Sequence, residues 1–145
     1  MKTNDALKLD NQLCFPLYAA SREIIKLYHV PLSRLGLTYT QYITMMVLWE
    51  EKHINVKELG KRLFLDSGTL TPLLKSLENQ GYITRTRSSE DERVLVVELT
   101  AQGKKLKSKA SNIPHEVGAC VNLSPEEAGE LYRLLYLLLN NISDT

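Results

Sequence analysis

The spacing of apolar residues predicts that the chain begins with a long amphipathic helix. From about Asn11 to Tyr28, apolar residues recur at intervals that keep one helical face apolar, at Leu13, Leu17, Ala20, Ile24 and Leu27. Pro16 suits the first turn of this helix, because that turn has no use for the N–H that proline lacks. Cys14 is therefore expected at or just before the first turn. Pro31 and Gly36 are expected to break the pattern.

Capping residues predict where the next three helices begin. The candidate caps are Thr38 or Thr40 for a second helix that ends near His53, Asn55 with Glu58 as a capping box for a short third helix, and Asp66, Ser67 or Thr69 for a fourth. Pro72 fits near the start of the fourth helix, and Gly81 ends it. The third and fourth helices follow each other closely, as in a helix-turn-helix.

A β-hairpin and two further helices complete the predicted order. Residues 82–87 and 94–99 are rich in β-branched residues, and the polar segment SSEDER separates them as a turn. Thr100 caps a fifth helix, with a kink or break at Pro114. The segment 124–127 combines a serine cap, a first-position proline and a third-position glutamate, which predicts a last helix. This mainly α fold with a small hairpin wing is the layout of a winged helix-turn-helix.

The fourth helix and the hairpin carry side chains suited to DNA. A helix in the major groove needs small or hydrogen-bonding residues at its leading end, and these are Ser67, Gly68, Thr69, Thr71 and Lys75. Arg93 at the hairpin tip can enter a minor groove, and Asp91 is close enough in sequence to orient it. The cations expected at phosphates are Arg85 and Arg87 on the first strand and Lys57, Lys61 and Arg62 on the third helix. The alternative is a helix pair and hairpin that merely pack.

Composition limits these possibilities without deciding between them. The 145 residues carry a formal net charge of only +1, so a DNA-binding surface has to be local. No apolar run approaches the ~20 residues that span a bilayer, and the first residues lack the apolar core of a signal peptide, so we expect no membrane contact and a cytoplasmic location. The two cysteines and three histidines are scattered, which predicts no metal and no cofactor.

The order of elements and several motifs resemble the MarR family of bacterial transcription regulators. The resemblance covers nearly the whole chain, and its strongest part is LDSGTLTPLLKSLENQGYITRTRSSEDERVLVVELTAQG, with DER, a strand and LT as the wing pattern. Within the family, LDNQLCF and LDSGTLTPLLK are similar to the organic-hydroperoxide-sensing repressors. The resemblance implies one MarR-type domain in an intertwined homodimer on a pseudo-palindromic operator. Residues 1–54 and 101–145 would supply dimerisation helices, and residues 55–100 the winged helix-turn-helix.

Cys14 is the candidate sensor. A single cysteine on a helix is more often a small buried hydrophobe than a reagent, but a helix N-terminus stabilises the thiolate that a peroxide oxidises. In the resembled group, the sensing cysteine lies in the LCF motif and two tyrosines of the partner subunit donate hydrogen bonds to it. By position in KLYHVP and LTYTQY these are Tyr28 and Tyr39, which otherwise fit a role as core residues. The expected sulfenic acid condenses with a thiol, either Cys120 or a low-molecular-weight thiol, and the operator is released.

Three other functions fit parts of the sequence. A MarR-type regulator could respond to a bound small aromatic ligand or to a broader set of oxidants, with Cys14 incidental. A thiol peroxidase would need turnover and a general base, and the sequence offers no such base beside Cys14. A protein-binding adaptor would keep the fold without DNA contact. We therefore expect a regulator and no enzyme.

Overall fold

Residues 5–143 are described by the structure, a computed structural model, and form seven α-helices and three β-strands. In chain order the elements are α1 (Cys14–Ser33), α2 (Tyr39–Glu51), β1 (His53–Asn55), α3 (Val56–Leu63), α4 (Ser67–Asn79), β2 (Ile83–Arg87), β3 (Leu95–Leu99), α5 (Ala101–Ala110), α6 (Ile113–Val121) and α7 (Pro125–Ser143). A short 3-10 turn, Leu9–Asn11, precedes α1. The predicted mainly α fold with a hairpin wing is confirmed.

Helices α2, α3 and α4 pack with the sheet around one apolar core. Its most deeply buried side chains are Met45, Leu48, Leu59, Leu70, Leu74, Leu77, Ile83 and Val97. Five helices begin at side-chain caps, because side-chain oxygens of Thr38, Asn55, Asp66, Thr100 and Ser124 accept hydrogen bonds from backbone N–H groups in the first turn. These caps set the starting points of α2, α3, α4, α5 and α7.

The sheet contains a strand that the sequence pattern does not reveal. In the described residues it has three antiparallel strands in the order β1-β3-β2, in which Ile54 and Arg85 both lie opposite Val97. The predicted two-stranded hairpin is therefore incomplete. β1 has only three residues, too few for a period-two pattern, and its last residue, Asn55, is also the cap of α3.

One predicted helix boundary is wrong and another is displaced. α1 continues through Pro31 to Ser33, where burial of Pro31 and Leu32 offsets the hydrogen bond that proline cannot donate, and the chain turns instead at Gly36, which has a φ of +68°. The predicted break at Pro114 is present but lies slightly earlier, at Ser111 and Asn112, because Pro114 fits the first turn of a separate helix, α6, where its missing N–H has no cost. Cys120 is a helical residue of α6.

The terminal helices leave most of their apolar residues in solvent. α7 has no buried residue, and α1 buries only Pro31 and Leu32. Exposed large apolar residues on these two helices include Phe15, Leu17, Tyr18, Leu131, Tyr132, Leu134 and Leu137. Apolar surface on this scale marks an interaction site. Within residues 5–143, no helix has the length and apolar character to cross a bilayer.

Candidate nucleic-acid interface and redox site

The leading end of α4 presents a polar surface to solvent. The Asp66 carboxylate accepts a hydrogen bond of 2.7 Å from the Thr69 N–H, and this bond holds the pKa of Asp66 below its ordinary value. The inward face is apolar and buried at Leu70, Leu73, Leu74 and Leu77. The five residues predicted to meet the major groove, Ser67, Gly68, Thr69, Thr71 and Lys75, are all exposed. The structure thus places them on one accessible helix end.

The hairpin tip holds Arg93 in solvent beside Asp91. The Arg93 Nε and Nη2 atoms donate hydrogen bonds of 3.1 and 3.2 Å to the two Asp91 carboxylate oxygens, and the Arg93 backbone N–H donates a third of 3.0 Å. The first two bonds hold the pKa of the Asp91 carboxyl below its ordinary value. The Arg93 side chain remains 89% exposed. Asp91 therefore orients a guanidinium whose outer edge is free to contact DNA.

Arg85 has a different partner from the phosphate that the sequence suggests. Its Nη2 atom donates to Glu78 Oε1 and its backbone N–H to Glu78 Oε2, each at 3.1 Å, and these contacts lower the pKa of Glu78. The Arg85 side chain is only 21% exposed. Because Glu78 belongs to α4 and Arg85 to β2, the pair ties the wing to the recognition helix. The sequence gives no sign of this role for Glu78, because its partner lies on another element and is brought beside it only by the fold.

The remaining candidate phosphate contacts are unequal. Arg87 and Lys57 are exposed. Lys61 lies 3.5 Å from Glu58 on its own helix, and Arg62 forms ion pairs with Glu50 and Glu51 of α2. Arg62 therefore braces α3 against α2, whereas Arg87 and Lys57 keep their charge available at the surface.

Three tyrosines cluster where α1 ends and α2 begins. The ring centroids of Tyr28 and Tyr39 are 4.9 Å apart, and the Tyr42 ring lies 5.8 and 6.3 Å from them. Burial raises the pKa of all three phenols, and the proximity of Tyr28 adds to the effect on the other two. Their hydroxyls therefore stay protonated and able to donate. Tyr28 and Tyr39 line an open cavity of about 630 Å³.

Cys14 lies at the opposite end of the same helix from Tyr28. It is the first residue of α1 and is exposed, and Tyr28 follows 14 positions later. At the helical rise per residue these positions are about 21 Å apart along the axis. The Cys14 thiol therefore cannot contact Tyr28 of its own chain. Cys120 is also exposed, in the last turns of α6, with its Sγ atom 3.6 Å from the Glu116 carbonyl oxygen.

Comparisons with known proteins agree with this arrangement. The family described as Transcriptional regulator SarA/Rot matches residues 26–110. A relative from Bacillus subtilis (strain 168), the organic hydroperoxide resistance transcriptional regulator, is 49% identical over 138 residues, covering 95% of this chain and 94% of the relative. The chain belongs to the MarR family of transcription regulators. Its relatives in that family are regulators and not enzymes.

Two solved structures of one MarR-family regulator, AbfR of Staphylococcus epidermidis, are similar to this fold. Reduced AbfR bound to DNA has a TM-score of 0.79 at 33% identity and covers 96% of this chain and 97% of AbfR. Disulfide-formed AbfR has a TM-score of 0.65 at 35% identity, covering 94% and 96%. The chain is thus closer in shape to the reduced, DNA-bound AbfR than to the disulfide form.

Residues 5–143 contain no group of three or more His, Cys, Asp or Glu side chains placed to hold a metal ion.

Proposed function

We propose that the chain is a cytoplasmic, homodimeric repressor that binds a pseudo-palindromic operator when reduced and releases it when an organic hydroperoxide oxidises Cys14. The observation that carries the proposal is that Cys14 begins α1, whereas Tyr28 lies in the C-terminal half of that helix, in ring contact with Tyr39 of α2. A thiol at the N-terminus of a helix and phenols at its far end can form one site only when a second chain is present.

A dimer built on the terminal helices supplies that second chain. The exposed apolar faces of α1 and α7 are the surfaces it would bury. Two α1 helices that pack antiparallel place the N-terminus of one beside the C-terminal turns of the other. The Cys14 thiolate of one protomer then lies within reach of Tyr28 and Tyr39 of its partner. On this basis α1 and α7, within the predicted segments 1–54 and 101–145, supply the dimer interface, while α2 packs with residues 55–100 in the DNA-binding lobe.

The chemistry begins at the Cys14 thiolate. The sulfur attacks one peroxide oxygen of ROOH, so that an S–O bond forms, the O–O bond breaks, and the alkoxide leaves as ROH after taking a proton. The peroxide is reduced to an alcohol and the cysteine is oxidised to a sulfenic acid. A thiol then attacks the sulfenic sulfur, forming a disulfide and releasing water. The sulfenic acid and the disulfide each displace the hydrogen bonds that Tyr28 and Tyr39 of the partner donate to the Cys14 thiolate.

The free energy available from those hydrogen bonds is similar to the free energy needed to shift the dimer from its DNA-binding state to its released state. Moving a population from 1:99 to 99:1 requires about 5.5 kcal/mol of differential stabilisation. Leaving a buried hydrogen-bonding group without its partner costs ~1–3 kcal/mol. Two tyrosine hydrogen bonds at each of two symmetric sites correspond to about 4–12 kcal/mol, a range that includes this requirement.

The DNA contacts divide into three kinds. The leading residues of α4, Ser67, Gly68, Thr69, Thr71 and Lys75, meet base edges and phosphates in the major groove. Arg93, oriented by Asp91, enters the flanking minor groove. Arg87 and Lys57 serve phosphates, while Arg85 holds the wing in place. For a two-fold symmetric dimer, half-sites about 10 base pairs apart put both recognition helices on one face of the duplex.

Oxidation of the wild-type protein tests this function. We expect the reduced dimer to shift a duplex from its own upstream region, and about one equivalent of cumene hydroperoxide per Cys14 to release it. Dithiothreitol should restore binding. One cumyl alcohol should form for each Cys14 oxidised, since each Cys14 reduces one peroxide and a regulator is oxidised once. Continued alcohol production with a thiol reductant at enzymatic rates would instead indicate a thiol peroxidase, and DNA binding that ignores the oxidant would contradict the proposal.

Cys120 of the partner is the proposed resolving thiol. Cys14 and Cys120 are both exposed, and the solved disulfide form of AbfR supports a disulfide in a related protein. We expect oxidised wild-type protein to migrate as a crosslinked dimer on a non-reducing denaturing gel. Cys120→Ser should remain monomeric on that gel and still release DNA in the presence of a low-molecular-weight thiol. A wild-type monomer carrying a mass increase for an added small thiol would exclude Cys120 from this role.

The cavity beside Tyr28 and Tyr39 favours one second candidate function. Its size, about 630 Å³, suits a small aromatic ligand bound at the same tyrosines. Such a ligand would release the operator without any thiol chemistry, so that loss of Cys14 would leave the response unchanged.

A further inference from the structure

The rear half of the recognition helix is hydrogen-bonded to the segment that carries Tyr39. The Gln41 Nε2 atom of α2 donates to the Ser76 hydroxyl oxygen on α4 at 2.9 Å. The Gln80 Nε2 atom at the end of α4 donates to the Gly36 carbonyl oxygen, also at 2.9 Å. Both bonds lie on the side of α4 remote from its DNA-reading end. They connect the helix to the start of α2 and to the turn that precedes it.

Gln41 is held rigidly enough to carry a displacement. Its Oε1 atom accepts a hydrogen bond of 3.0 Å from the Thr38 N–H, and its own N–H donates to the Thr38 hydroxyl at 3.3 Å, which completes a capping box. The side chain is 7% exposed. Tyr39 lies inside this box, between its two members. A movement of Tyr39 therefore moves the amide that holds Ser76.

Gly36 forms the second attachment at the turn between the two tyrosine-bearing helices. Its φ of +68° is a left-handed conformation that favours glycine, and it ends the turn after α1. The carbonyl that Gln80 binds lies between Tyr28, on α1, and Tyr39, on α2. A change in the position of Tyr28 relative to Tyr39 therefore displaces the Gly36 carbonyl and, through its hydrogen bond, the Gln80 side chain.

We propose that Gln41, Ser76 and Gln80 are positioning residues that transmit the state of the tyrosine site to the recognition helix. The inference rests on the proposed function. It names the contacts through which oxidation of Cys14, which alters the tyrosine site, changes the position of α4. Apolar contacts also join α2 and α4, but the hydrophobic effect that drives them is non-directional. Hydrogen bonds have a preferred length and angle and keep the two helices in register.

Paired substitutions separate transmission from packing. Ser76→Ala with Gln80→Glu removes the hydroxyl that accepts from Gln41 and replaces a donor by a carboxylate that cannot donate to Gly36. The matched control, Ser76→Thr with Gln80→Lys, keeps a hydroxyl at the first position and a donor at the second. Full-length dimers of both variants and of wild type are titrated with the upstream duplex before and after cumene hydroperoxide. The quantity compared is the ratio of oxidised to reduced Kd, in which charge effects common to both states cancel.

We expect the disrupted pair to lower this ratio by about tenfold, the size of a modest allosteric coupling. The control should stay close to the wild-type ratio. Neither pair should alter the rate at which Cys14 is oxidised, a readout that separates a transmission fault from damage to the sensor. If the double variant does not fold, Gln80→Glu alone, at an exposed position, is measured against Gln80→Lys.

Three outcomes contradict the inference. A disrupted pair that retains the wild-type ratio removes the transmission role and leaves the proposed function intact. An equal loss in the disrupted pair and the control assigns the effect to packing. A wild-type protein that keeps its operator after Cys14 is oxidised overturns the proposed function and the inference together.

Discussion

Replacing Cys14 by serine is expected to abolish release of the operator by cumene hydroperoxide while leaving the affinity of the untreated dimer close to that of wild type. Serine preserves the size of the side chain and its exposed place at the start of α1. Its hydroxyl is not oxidised by a peroxide, because the reaction requires a thiolate. Wild type should lose at least about a hundredfold in affinity on oxidation, since a nearly complete population shift corresponds to a larger factor.

The measurement is fluorescence anisotropy of the upstream duplex, titrated with protein before and after oxidant. Cys120→Ser, oxidised in the presence of a low-molecular-weight thiol, is the matched control, because it also removes one exposed thiol but leaves the first oxidation step intact. Release of DNA from oxidant-treated Cys14→Ser would exclude Cys14 as the sensor. Release of that variant by a small aromatic compound would favour the ligand-binding alternative at Tyr28 and Tyr39.

The elements that sequence patterns predicted best are those with local causes. Thr38, Asn55, Asp66 and Thr100 cap their helices because the contact that defines a cap lies within three residues. The inward stripe of α4 follows in the same way from helical periodicity. Contacts between residues that are close in sequence depend on the order of residue types, so they can be predicted without knowing the fold.

Features that depend on distant partners were not predictable in this way. β1 exists because β3 lies beside it, and a segment of three residues has no pattern of its own. Proline breaks many helices, yet Pro31 is buried in the last turn of α1, where packing offsets the loss of one hydrogen bond. Tertiary contacts outweighed local preference in both cases.

The residues of the candidate site also divide into those with local partners and those with distant partners. The leading residues of α4 and the pair Asp91–Arg93 could be identified because each set lies within a short stretch of sequence. Arg85 could not be separated from Arg87, because both are arginines of β2 and only the fold places Glu78 beside one of them. A count of charges treats the two residues as equal, although one is exposed and the other is mostly buried.

Substituting Arg93 by alanine is expected to weaken operator binding at least about tenfold, since a specific arginine contact is worth ~1–3 kcal/mol and a dimer has two wings. The plot of log Kobs against log salt concentration should also become shallower, because a cation in the minor groove also displaces condensed counterions, and each such cation lost reduces the slope by about one. Within residues 5–143 the ion pair of the 89% exposed Arg93 side chain is with Asp91, so its loss should leave the fold unchanged. Thermal unfolding of the variant checks that point, and unchanged affinity at matched salt would remove Arg93 from the interface.

Arg85→Met is the informative comparison, because it removes the same charge from a residue that contacts Glu78. Methionine keeps the apolar stem of arginine but cannot hold the carboxylate, so the wing should lose its fixed position against α4. We expect weaker binding with the salt slope of wild type, and hydroxyl-radical footprints that lose protection at the wing sites before the major-groove sites. A slope reduced as much as in Arg93→Ala would show that Arg85 neutralises a phosphate, because counterion release depends on the charges that reach the DNA backbone.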